Sequence, residues 1–324
     1  MAISTARLGR RALVAGLVWI GWFSIGGSAQ QPRPRQSAID GVISAAAEVE
    51  LVIGGAYRGL EGPVGTSDGG MYFSEIQASR IHLLDRNGAV RVWRENTRDA
   101  NGLFLTADGV ILAAEQGGKR IVAMAPDGRV TPLVTEFGGK PLRSPNDLVQ
   151  DKSGGIYFTD PARSALDVTQ GPSRVLYRRR DGEVLLVDDL MVFPNGITLS
   201  LDERTLYVDD SDGHYVYAFD VEPDGRVRNK RAFAQLHDPV QTDRGLRSRA
   251  DGMAIDAKGR LYVASGSGIQ VIDPRGEYLG TIRVPELVRG LAFGGAGRQT
   301  LYMAAAGSLY RMRMLSQGPS QRAK

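Results

Sequence analysis

Glu61, Asn101, Asn146, Asn195, Asp251 and Arg289 open six phrases of one kind: a polar or charged residue, usually followed by glycine, then an apolar run. Each stands 11 to 13 positions ahead of the centre of a short β-rich run, at Tyr72, Leu112, Tyr157, Tyr207, Tyr262 and Tyr302. So constant a register implies equivalent places in a repeated structure. If the six converge, they assemble two carboxylates, three carboxamides and one guanidinium. An oxygen-rich set suits a hard cation, since calcium takes six to eight oxygen ligands, including carboxylates, Asn carbonyls and water. Two carboxylates with two or three Asn oxygens leave positions for water or substrate, the mark of a catalytic metal rather than a closed structural one. Asn-Gly and Asp-Gly are also ordinary turn dipeptides. That alternative accounts for one or two of the six, but not for Glu61 or the shared register.

The elements that must position these residues are short strands. The β-rich run recurs at steps of 40, 45, 50, 55 and 40 residues. A second apolar-alternating run follows each, as in Ile81–Asp85, Val216–Asp220 and Leu309–Met312, and turns such as Asn87-Gly88, Asp127-Gly128, Asp181-Gly182 and Asp224-Gly225 intervene. These dipeptides predict two-residue type I′ hairpins, in which both central residues have φ > 0. Six repeats of this length predict an all-β chain, a six-bladed β-propeller over residues 48–316. A β-sandwich pair or a two-domain all-β protein is the alternative. The segment 48–53 has no blade of its own and is expected to pair with the last blade near 309–314, closing the ring and protecting its edges. In a propeller the inner strands surround the axis, so the six polar residues should meet there.

Composition fits and excludes. Glycine is 41 of 324 residues, an excess that six blades of tight turns absorb. With no cysteine, thiolate metal sites, disulfides and a cysteine nucleophile are excluded, and only three histidines argue against a histidine-rich metal centre. Residues 1–29 carry Arg7, Arg10 and Arg11, then an apolar run over 12–25 and small residues before a cut after Ala29. This is the layout of a secretory signal peptide, and it implies an exported, periplasmic or secreted protein. An uncleaved anchor is the alternative, although the run is short of the ~20 residues that span a bilayer. Removing the leader takes the formal charge from +4 to +1, because it holds three arginines and no acid. A near-neutral domain has no electrostatic footprint for nucleic acid. Residues 30–47 read as a flexible linker and 317–324 as a disordered tail.

These residues also carry a resemblance. The chain is similar to the SMP-30/gluconolactonase/LRE family of six-bladed propellers over about residues 48–314. The resemblance rests on Glu61-Gly62-Pro63-Val64, Asn101-Gly102-Leu103, Ser144-Pro145-Asn146-Asp147 with Phe158-Thr159-Asp160-Pro161, Phe193-Pro194-Asn195-Gly196, Asp251-Gly252-Met253 and Leu291-Ala292-Phe293-Gly294. It implies a divalent metal held by Glu61, Asn146, Asn195 and Asp251, with calcium first and Zn2+, Mg2+ or Mn2+ as alternatives. It implies hydrolysis of a sugar lactone or related cyclic ester, with Asp251 as general base, and places Asn101 and Glu115 near the substrate. Arg143 is a further candidate substrate contact. The chain departs from its relatives at Arg143, at Arg249-Ala250 before Asp251, at Arg289, and in the Ala162-Arg163-Ser164 that follows the Phe-Thr-Asp-Pro motif. The expected protein is a monomer or small homo-oligomer with a small-molecule substrate and no stable membrane insertion. The rival expectation is a non-catalytic exported propeller whose calcium is structural and whose channel mouth binds a ligand or partner protein.

Overall fold

The strand–turn–strand phrase gives each repeat its own antiparallel sheet. The computed structural model describes residues 34–163, 169 and 171–320, so the expected signal peptide lies outside the described residues. Blade 1 is Leu60–Gly65, Met71–Glu75, Arg80–Leu84 and Val90–Glu95. Blade 2 is Ala100–Leu105, Ile111–Glu115, Arg120–Met124 and Val130–Val134. Blade 3 is Leu148–Gln150, Ile156–Asp160, Arg174–Arg178 and Val184–Asp188. Blade 4 is Pro194–Leu199, Thr205–Asp210, Tyr215–Val221 and Val227–Gln235. Blade 5 is Met253–Ile255, Leu261–Ser265, Gly268–Ile272 and Tyr278–Ile282. Blade 6 is Val288–Gly294, Thr300–Ala305 and Ser308–Arg313, completed by Glu50–Gly54 from the other end of the chain. The first strand of each blade touches the first strands of both neighbours, which closes them into a ring.

The expected closure is present. Glu50–Gly54 runs antiparallel to Ser308–Arg313, with Glu50 opposite Arg311 and Gly54 opposite Ser308. The recurring tyrosines lie in second strands and pack between blades. Tyr157 and Tyr262 are fully buried, and each hydroxyl finds a partner, Tyr157 on Gly225 O (2.6 Å) and Tyr262 on Asp256 Oδ2 (3.0 Å). A buried aromatic with a polar tip needs such an acceptor.

The outer hairpins differ from the expected type. At 88, 128, 182 and 225 only the glycine has φ > 0; Asn87, Asp127, Asp181 and Asp224 do not. Three residues connect the strands instead of two, as in Asp85 N to Ala89 O with Gly88 N returning to Asp85 O. Asp85 Oδ1 further accepts from Asn87 N and Ala89 N. That side-chain bond and the left-handed glycine together favour the three-residue loop.

The flexible linker expected over 30–47 is corrected from Gln36 onward. Ile39, Val42 and Ile43 are buried in one cluster with Ile282, Leu301 and Met314 of the last two blades and the segment beyond them. Gln36 exchanges two hydrogen bonds with the Arg283 backbone, and Arg260 donates to Gly41 O (2.9 Å). Three apolar residues at 39, 42 and 43 found a surface to cover. The tail is likewise pinned at its start, where Ala257 N donates to Gln317 O and Gly318 N to Arg298 O.

Candidate active site

The six residues singled out by register meet at one end of the ring axis. Bulges help to aim them. The pairing of first and second strands shifts register between Glu61 and Val64, Ala100 and Leu103, Pro194 and Ile197, and Val288 and Gly290. An extra residue in one strand re-aims a side chain; here it falls on Asn101, Asn195 and Arg289, and directly after Glu61, which itself stands opposite Ser74. In blades 3 and 5 the residue stands just ahead of the strand, tied by Asn146 N to Thr159 O and Asp251 N to Ala264 O.

The glycines that follow serve close approach, not turns. A Cβ on Gly62 would lie 2.2 Å from Asn101 O, and one on Gly196 would lie 2.2 Å from Asp251 O. Neighbouring inner strands touch backbone to backbone here, joined by Gly102 N to Asn146 O (2.8 Å) and Gly252 N to Arg289 O (2.6 Å). The turn-dipeptide alternative therefore fails. Gly196→Ala is expected to lower stability by about 2 kcal/mol, the usual scale of overpacking, measured as a lower heat-unfolding midpoint; an unchanged midpoint would show that the ring tolerates a methyl.

Three carboxamides form a directed chain across the floor. Asn101 Nδ2 donates to Asn146 Oδ1 (2.6 Å), and Asn146 Nδ2 to Asn195 Oδ1 (2.6 Å). Asn195 Nδ2 continues to Ser211 Oγ (2.9 Å). Each accepting oxygen keeps a second lone pair. Glu61 is buried and its carboxyl is pushed well above its usual range, first by burial and then by Asp251. Burial likewise pushes Asp251 up, to about 7, against the attraction of Arg163 and Arg289 and with help from Asp147. A buried and a half-buried carboxyl held beside carboxamide oxygens make an all-oxygen donor set in need of positive charge, and a hard divalent cation fits it. No three His, Cys, Asp or Glu side chains among the described residues converge as a metal cluster, so the set depends on its asparagines.

Above this floor opens a cavity of about 700 Å³. Glu61, Asn101, Asn195, Asp251 and Arg289 line it, together with Gln116, Phe193 and Ser211. Asn146 lies beneath, in the narrow channel below the floor. Of the expected substrate contacts, Asn101 reaches the cavity and two do not. Glu115 is buried and paired with Arg120 across its hairpin. Its neighbour Gln116, in the turn just past the strand, lines the cavity instead. Arg143 is buried beside Asp160, whose Oδ1 accepts from Arg143 N (2.8 Å) and Ser144 N (2.9 Å). Arg174 Nη2 reaches the same carboxylate at 2.5 Å, so Asp160 gathers cations inside blade 3 and Arg143 serves the fold.

Three acids support the site without lining the cavity. Asp147 breaks the polar-Gly pattern, and its carboxylate accepts from Leu148 N (2.9 Å) and Ile197 N (3.3 Å). Asp209 Oδ1 accepts from Gly196 N (3.1 Å), steadying the bulge at Asn195. Asp210 accepts from Val192 N and Phe193 N. His82 is buried against Glu75 (2.9 Å) and stacked on Phe73, a structural role. Sequence reasoning missed Gln116, Ser211 and Arg247. For Arg247 a signal existed: the longest step between repeat centres, 55 positions from Tyr207 to Tyr262, marks an insertion. It folds as the hairpin Val240–Thr242 and Gly245–Arg247 and forms part of the cavity wall.

Comparison with known proteins agrees with the propeller fold. A model of the SMP-30/Gluconolactonase/LRE-like region matches residues 60–307. The gluconolactonase of Zymomonas mobilis is 27% identical, over 96% of this chain and 99% of its own. A gluconolactonase structure from Xanthomonas campestris superposes with a TM-score of 0.72 at 27% identity, covering 83% of this chain and 89% of that one. A calcium-binding protein, regucalcin, from Agrobacterium tumefaciens shares the fold with a TM-score of 0.70 at 18% identity, covering 83% and 95%.

Proposed function

Since the chain belongs to the SMP-30/gluconolactonase/LRE-like family and its relatives include lactone hydrolases, we propose that it hydrolyses a sugar lactone or related cyclic ester in a reaction dependent on a divalent cation. The observation that carries this reading is the floor of the cavity, where the carboxyls of Glu61 and Asp251 stand with carboxamide oxygens below a space of substrate size. Glu61, Asn146, Asn195 and Asp251 would hold the cation, calcium in the first instance, as suits an all-oxygen donor set. When bound, such an ion supplies a Lewis acid toward the lactone carbonyl and lowers the pKa of water.

The chain's own residues do the rest. Asp251, at the floor and open to the cavity, takes the proton of the attacking water on its carboxylate. Asn101 is fixed by its bond to Asn146 and reaches Gln116 Oε1 at 3.3 Å, so its carboxamide is oriented toward substrate hydroxyls. Phe193 offers an apolar face, with the Arg163 guanidinium 5.0 Å from its ring centre. Arg289, close to both floor carboxyls, donates toward negative charge that builds on the opening ring.

The test is hydrolysis of a panel of sugar lactones by purified protein, followed by acid release with an indicator, in EDTA and in added calcium. Turnover that chelation lowers at least about 100-fold and calcium restores is the expected result, given what a metal ion contributes to such a reaction. Calcium-dependent heat stability without turnover of any lactone would favour the non-catalytic propeller.

A further inference from the structure

One side of the cavity wall carries more cations than acids, with Arg244, Arg247 and Arg249 against Asp212 and Asp243. The segment from the inserted hairpin to the floor brings Arg244, Arg247 and Arg249 to the lining. Arg244 Nη1 lies 2.6 Å from Asp212 Oδ2, so its charge is offset. Arg247 is held differently. Its Nη1 and Nη2 donate to two carbonyls, Asp212 O (2.6 Å) and Arg244 O (2.7 Å), which position the guanidinium without neutralising it. Its buried Nε has no hydrogen-bond partner among the described residues. Arg249 is exposed to the cavity, and its guanidinium makes no hydrogen bond or ion pair among the described residues. Its backbone is held at φ +50 by a bond from its N–H to Ser211 O (3.0 Å). A non-glycine residue kept in the left-handed region costs free energy, and such strain gathers at ligand sites.

A guanidinium has donors only and matches a planar oxyanion bidentately. Sugar hydroxyls are read as well by neutral amides, which this site already has in Asn101 and Gln116. Arg247 is anchored and Arg249 is not, yet both bring an unneutralised guanidinium to one cavity, where an anion would satisfy them together.

We propose that the substrate carries an oxyanion, a carboxylate or a phosphate ester, in addition to its lactone ring, and that Arg247 and Arg249 receive that group at the cavity wall. This rests on the lactonase reading above and narrows it to anionic sugar lactones. The floor acts on the ring while the wall holds the charged end, so the anion sets which carbonyl is presented.

The experiment compares kcat/KM for glucono-1,5-lactone, which is neutral, with 6-phosphoglucono-1,5-lactone and glucaro-1,4-lactone, which are anionic. At least one anionic lactone is expected to be preferred by about tenfold or more, the scale of one charge-assisted contact. Which of the two is preferred separates phosphate from carboxylate. Raising salt to about 0.5 M should erode that preference. Arg249→Asn, whose side chain tolerates the same backbone, should cut it about tenfold, the loss of one such contact. Arg247→Gln should do the same, and Arg226→Gln on a distant turn should not. Equal kcat/KM for neutral and anionic lactones, or a preference indifferent to both salt and Arg249→Asn, overturns the proposal. A second measurement stands apart from turnover: calorimetric binding of the ring-opened acids. 6-Phosphogluconate or glucarate should bind about tenfold tighter than gluconate, and equal affinities would overturn the anion site. If no lactone is hydrolysed yet the affinities differ as stated, the lactonase reading has failed and the anion site has not.

Discussion

Asp251→Asn is expected to lower lactone hydrolysis about 1,000-fold, within the range that a positioned general base contributes, and to do so without unfolding the protein. The carboxamide keeps the shape of the carboxylate and can still accept from Asn195, but it cannot take up a proton. Because Asp251 acts in the chemical step, kcat and kcat/KM should fall together. Stability should not fall with them in the cation-free protein. Burial raises the pKa of Asp251 more than the attraction of Arg163 and Arg289 lowers it, so the neutral amide escapes a desolvation cost larger than the attraction it gives up. Circular dichroism and the heat-unfolding midpoint check the fold, and steady-state kinetics check the loss. A variant that kept more than a tenth of the activity would remove Asp251 from the role of base.

Calcium is expected to raise the heat-unfolding midpoint, and Glu61→Gln to abolish most of that rise. A ligand present at a hundred times its Kd stabilises by about 2.7 kcal/mol, which for a chain of this size is on the order of 5 °C. Glu61 is the natural residue to change. It is buried, its carboxyl is pushed up by desolvation and by Asp251, and the arginines near it, Arg289 and Arg163, only partly offset this. In the cation-free state the Glu61→Gln variant should be no less stable than the unchanged protein, because an amide is cheaper to bury than an uncompensated carboxylate. The measurement is a calcium titration of the midpoint for both proteins, started from EDTA. Equal midpoints in EDTA and calcium for the unchanged protein would mean that the floor holds no cation.

Much of this architecture was legible in the linear chain because a propeller repeats. The same polar-Gly phrase at the same distance from the same β-rich run recurs six times, and closure of a ring forces equivalent residues onto one axis. Glu61, Asn101, Asn195 and Asp251 could therefore be placed at a common site from spacing alone, and Glu50–Gly54 could be assigned to the last blade because an unpaired strand must go somewhere. The glycines were visible too, but their cause was not. A turn and a backbone contact ask for the same residue, and Gly196 is explained only by the Asp251 carbonyl 2.2 Å from where its Cβ would be.

What escaped the repeat was whatever the repeat does not contain. Glu115 and Gln116 are neighbours in sequence, and which of them faces the cavity depends on the strand's orientation in its sheet; Arg120 is what holds Glu115 away. Arg143 stands beside a site motif in the sequence, yet Asp160, at the end of the strand Ile156–Asp160, takes its backbone N–H and lies beside its buried guanidinium. The segment at 36–47 read as a linker because three apolar residues declare nothing without the surface they cover. The charged wall at Arg247 and Arg249 came from an insertion, whose existence spacing revealed and whose direction it could not. Repetition carries fold and floor because each copy constrains the others. Rim, cap and paired charges are single events, and their partners lie far along the chain, so their roles exist only once the chain has folded.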